Sequence, residues 1–137
     1  MLVNQRVKEI RRYRRLEGRE LAKAAGVSPA AISLIESHRK LRTPRVDTLQ
    51  KIARALDVTV GFLLGEEDVD IPLSRALSRQ SLKVFLQHNE VTPEHGAYLT
   101  RVCAGDSAPD SVKGWKDLLT NVSKWVAQEA SFGTQVG

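Results

Sequence analysis

The chain has a single cysteine, Cys103, which excludes an intrachain disulfide and leaves no thiol pair for a zinc site. A reducing cytoplasm is the plain expectation. No apolar stretch approaches the ~18 residues of a membrane span. Met1-Leu2-Val3 runs straight into charged sequence, so no signal peptide is expected. Aromatic residues make up only 5%, so any core is mainly aliphatic. Catalytic patterns are missing too: there is no His-Glu-x-x-His, no glycine-rich phosphate loop and no recognisable Ser/His/Asp frame. His38, His88 and His95 are scattered and read as surface or capping histidines. Cys103 reads as a small buried residue, with only Arg101 cationic nearby in sequence. The expectation is therefore a non-enzyme without metal or cofactor.

What is present is a strong charge asymmetry. Residues 1–64 hold 14 lysines and arginines against 6 acids, a balance of +8; residues 65–137 hold 7 against 10, a balance of −3. The positive charge sits where a phosphate-binding surface would use it. At 137 residues the chain is one ordinary domain or two very small ones.

The apolar spacing is helical almost throughout. Val3, Val7 and Ile10 define a first helix, interleaved with Arg11, Arg12, Arg14 and Arg15, which read as a solvated basic face more readily than as DNA contacts. A short helix from Arg19 to Ala25 buries Leu21, Ala22 and Ala25, and Gly26 ends it as a left-handed cap can. Ser28-Pro29 starts the next, with Ser as N-cap and Pro at the first helical position. Its Ala31, Ile32 and Ile35 face inward, while Ala30, Ser33, Leu34 and Ser37 share the opposite face. A basic loop, His38 to Pro44, leads to a helix using Val46, Leu49, Ile52, Ala53 and Leu56. Thr59 then caps a short apolar helix that Gly65 closes.

A helix ending in glycine, a three-residue turn and a second helix opening on serine is helix-turn-helix geometry. The string from Leu21 to Glu36, followed by Pro44, Leu49, Ile52-Ala53 and Leu56-Asp57-Val58-Thr59, resembles the Cro/phage-repressor (XRE-type) helix-turn-helix regulators over roughly residues 3–65. The resemblance implies a five-helix, lambda-repressor-like domain whose third helix reads double-stranded DNA. Ser28, Pro29, Ala30, Ser33 and Leu34 would then face base edges or the nearest phosphates, and Ser37, Arg39, Lys40 and Arg42 would hold the backbone. Glu36 would anchor within the domain. Gly18 departs from the glutamine common in the family at the start of the second helix. Pro29, Ala30 and Leu34 cannot make bidentate base contacts, although Ala30 and Leu34 can meet thymine methyls.

Residues 66–73 read as an acidic linker, and 74–129 as a helical dimerisation or regulatory domain of about three helices. These span about 74–88, from Thr92-Pro93-Glu94, and from near Asp110-Ser111. Residues 130–137 read as a disordered tail. In the last helix Trp115, Leu118, Leu119, Val122, Trp125 and Val126 form one stripe, generous for so small a core and therefore a candidate subunit face. This half weakly resembles repressors controlled by a partner zinc metalloprotease, on Ile71-Pro72, Ser81-Leu82, Phe85, Leu99 to Val102, Pro109, Trp115 and Leu118. That resemblance implies dimerisation and a cut near Cys103 to Pro109. The whole is expected to be an all-α, cytoplasmic, nucleoid-associated regulator, a homodimeric repressor on a near-palindromic operator. The rival reading is an antitoxin or inhibitor whose C-terminal half masks a protein partner.

Overall fold

Helix α1 (Val3–Tyr13) forms because Val7 and Ile10 recur on one face, and both are fully buried. Arg6 shares that face. Its guanidinium lies over the Phe62 ring at 3.9 Å from the centroid, and its Nε donates to the Phe62 carbonyl at 2.9 Å, so the charge is buried with partners. The computed structural model describes residues 3–37 and 44–122, and every element in them is helical apart from turns. Helix α2 (Gly18–Ala25) opens on a reciprocal capping box between Glu17 and Glu20 and ends on Gly26 at φ +72°, the left-handed turn expected there. Helix α3 (Pro29–Glu36) follows, then α4 (Val46–Ala55) and α5 (Val60–Leu63). Val46, expected among the inward positions of α4, lies in its first turn and is 65% exposed. The five helices close around Val7, Ile10, Leu21, Ile32, Leu49, Ile52, Leu56, Phe62 and Leu63.

That core does not end at Gly65. Helix α6 (Leu73–His88) places Ala76 and Leu77 in it, at 1% and 0% exposure. The acidic stretch read as a linker is pinned on the way. Thr59 caps α5 through its Oγ1, which accepts from the Phe62 amide, and donates to the Glu67 carboxylate at 2.6 Å. Fully buried Gln80 of α6 accepts from the Thr59 amide at 2.9 Å and donates to Asp68 at 2.8 Å. Lys83 pairs with Glu67, and Arg79 with Asp68 at 3.0 Å. The sequence showed acids between two helical blocks; the structure uses two of them as acceptors that join α5 to α6.

Lys83, then Thr59, holds the Glu67 carboxyl below its ordinary value. A carboxylate depressed in the folded state stabilises fully above its unfolded pKa and loses that contribution as pH falls through the lower, folded one. We expect acid to loosen the α5–α6 joint, and Glu67→Gln to flatten the acid limb of a stability–pH curve. An unchanged acid limb in Glu67→Gln would remove Glu67 from the joint.

The second half of α6 turns to another core. Leu82 and Phe85 pack with Leu99 of α7 (Pro93–Cys103, capped by Thr92) and with Trp115 of α8, which is helical over 112–122. Trp115 was expected on a subunit face. It is instead 0% exposed within the single chain, and its indole N–H donates to Ser81 Oγ at 2.9 Å. Leu118, Leu119 and Val122 are half-buried. Trp125, Val126 and the tail 130–137 lie outside the described residues. Burial pushes the Cys103 thiol up, as suits a small packed residue. Tyr13, Arg14 and Asp57 of the first half bond Asp110 and the Val112 amide, tying the two cores together a second time.

Candidate nucleic-acid interface

The turn between α2 and α3 sets which face of α3 is free. Ser28 Oγ accepts from the Ala31 amide at 3.1 Å, Pro29 fills the first position, and Ile32 inserts into the core at 2% exposure. With Ile32 anchored and Ile35 half-buried, the helical period leaves Ser28, Pro29, Ala30, Ser33 and Leu34 exposed. Leu34 is 52% exposed. Ser37, placed with them from sequence, is half-buried, and its carbonyl accepts from Asn4 Nδ2 at 3.4 Å.

The C-terminal end of α3 is fixed by an ion pair that the sequence did not announce. Arg11 of α1 grips Glu36 with two bonds, at 2.8 and 2.9 Å, and its Nη1 donates to the Leu16 carbonyl at 2.6 Å. Glu36 therefore anchors within the domain, and its carboxylate raises the Arg11 pKa further. Arg14 donates to the carbonyls of Leu56 and Asp110. Thus Arg11 and Arg14, read as a solvated face, brace the fold, whereas Arg12 and Arg15 are exposed. No local pattern could have shown this, because Arg11 and Glu36 stand 25 residues apart. Arg39, Lys40 and Arg42 lie outside the described residues.

A short helix carrying a small, uncharged exposed face, rigidly held across a preceding helix, has the shape and lining to enter a major groove. Ser33 offers one rotatable hydroxyl, and Ala30 and Leu34 offer only apolar contact. This architecture is that of a helix-turn-helix DNA-binding regulator.

Comparison with known proteins agrees. The helix-turn-helix family profile matches residues 7–63. The HTH-type transcriptional regulator SinR of Bacillus licheniformis is 40% identical over 68 residues, 49% of this chain and 60% of that protein. The immunity repressor protein of Bacillus phage phi105 is 39% identical over 67 residues, 49% of this chain and 45% of that protein. An uncharacterized HTH-type transcriptional regulator of Bacillus subtilis, YobD, is 30% identical over 87 residues, 64% of this chain and 73% of that protein. The chain belongs to the Cro/phage-repressor-like family of helix-turn-helix transcriptional regulators. It spans 60% and 45% of the lengths of the SinR and phage repressor relatives.

Proposed function

We propose that the chain is a repressor that binds a near-palindromic operator as a homodimer, with α3 as the reading helix. The observation that carries this is the exposed Ala30, Ser33 and Leu34 face beside a buried Ile32, on a helix clamped by Arg11 and Glu36. Ser28 and Pro29 approach the nearest phosphates; Ser37, Arg39, Lys40 and Arg42 hold the backbone. Reading by one hydroxyl and two apolar side chains favours thymine methyls, with further selectivity from DNA shape. Subunits pair through the C-terminal half, where Leu118, Leu119 and Val122 retain exposed surface and the sequence carries the apolar spacing on to Trp125 and Val126. Ala104 to Ser107, between α7 and α8, are exposed, and this is the segment a controlling metalloprotease would cut.

The test is selection of bound sites from random DNA, followed by titration at several salt concentrations. Leu34→Ala and Ser33→Ala should shift base preference by about 1–3 kcal/mol at one or two positions of each half-site. Their thermal midpoints should stay within the range of ordinary surface substitutions. Should Leu34→Ala unfold the domain, or leave the selected site unaltered, α3 does not read DNA through this face.

A further inference from the structure

Helices α6 and α7 leave a groove of about 640 Å³ that borders the Trp115 core, whose Leu82 and Cys103 line it. Its floor is apolar: Ile71, Leu82 and Leu86, the last 39% exposed. Along one wall Arg75, Arg79 and Lys83 follow one another at four-residue spacing, about one helical turn apart. The half of the chain containing them carries net negative charge, so a cationic row here is a local segregation, not a reflection of composition. The acids that pair with two of these cations are the less exposed partners, and Asp68 also lines the groove. Asp68 and Glu67 are 14% and 27% exposed and are spent on Gln80 and Thr59, whereas Arg79 and Lys83 are 60% and 49% exposed. The groove thus has an apolar floor and a rim of three cations to one acid, Asp68; Arg75 donates to the Ala104 carbonyl at 2.8 Å, and Arg79 and Lys83 keep about half of their side chains exposed.

We propose that this groove docks an amphipathic helix from a partner protein, its apolar face on Ile71, Leu82 and Leu86 and carboxylates on its flank against Arg75, Arg79 and Lys83. Charge complementarity selects an acidic helix over a basic one. The partner also meets Asp68, Arg79 and Lys83, the residues that join α6 to the cap of α5, so docking reaches the DNA-binding half through that joint. The inference is separate from operator reading and from the dimer, and neither has to hold for it.

The experiment titrates isotope-labelled full-length chain with a synthetic helix of roughly 16 residues. The peptide carries a leucine stripe flanked by glutamates, and its twin carries lysines instead. The glutamate peptide should shift the amides of Leu82, Leu86 and Thr100 and bind at least about ten-fold tighter than the twin. Leu86→Ser should abolish binding with the melting midpoint unchanged. Arg79→Gln with Lys83→Gln should erase the preference; if that pair loosens the fold, Arg75→Gln, which lies outside the ion pairs, should halve or further reduce affinity. No binding, equal binding of the twins, or shifts elsewhere on the chain would overturn the proposal. So would concentration-dependent shifts of the same residues in the free chain, which assign the groove to a second copy.

Discussion

Cutting the chain after Gly65 is expected to give a DNA-binding unit that is barely folded, whereas cutting after Asn89 is expected to leave it folded. The boundary suggested by composition removes Ala76 and Leu77, which are buried in the first core. Loss of one such leucine side chain costs about 2–5 kcal/mol. A unit of this size has in total only about 0.05–0.15 kcal/mol per residue. The same cut removes Gln80, leaving the Thr59 amide without its side-chain acceptor at the start of α5. Urea unfolding of the two fragments, followed by circular dichroism, measures the difference. Equal midpoints would mean that α6 is an attachment and not part of the first core. The consequence for the proposed function is direct: weak DNA binding by the shorter fragment would report unfolding and not only the loss of the proposed partner subunit.

What the sequence discloses is what lies within one or two turns of itself. Ser28-Pro29, Thr59 and Thr92-Pro93 cap helices, and Gly26 ends one, because these signals act over three or four residues. The exposed face of α3 was legible for the same reason, since one period and one anchored isoleucine determine it. The braces were not. Arg6 meets Phe62 across 56 positions, Arg11 meets Glu36 across 25 and Gln80 meets Thr59 across 21. A charged residue beside an apolar one looks alike whether it is solvated or buried with a partner. The acidic stretch misled for a related reason: composition gives the solubility of Glu67 and Asp68 but not the hydroxyl and amide that wait for them. Periodicity likewise marked Trp115 for burial and left open what would cover it.

Trp115→Ala is expected to unfold the C-terminal half rather than merely separate subunits. The indole is fully buried among Leu82, Phe85 and Leu99, and its N–H is matched to buried Ser81. Truncating a large aromatic in such a site costs about 3–5 kcal/mol. This core is small, so little remains to offset that loss. Trp115→Phe should be milder, because it keeps most of the packing and forfeits one hydrogen bond worth about 0.5–1.5 kcal/mol. Denaturation of the full chain beside sedimentation at several concentrations separates the possibilities. In Trp115→Ala the second core should melt at all concentrations, and any loss of dimer should follow from that melting. Leu118→Ser, at a half-buried position of α8, should weaken pairing with a smaller change in monomer stability. A Trp115→Ala chain that dissociates while its monomer remains as stable as before would return the tryptophan to the subunit face. Because α6 belongs to both cores, the melting in Trp115→Ala should also reach α5 and, through it, the domain that holds α3. Weaker DNA binding in this variant would then mark mechanical coupling between the halves, distinct from the loss of a second reading helix.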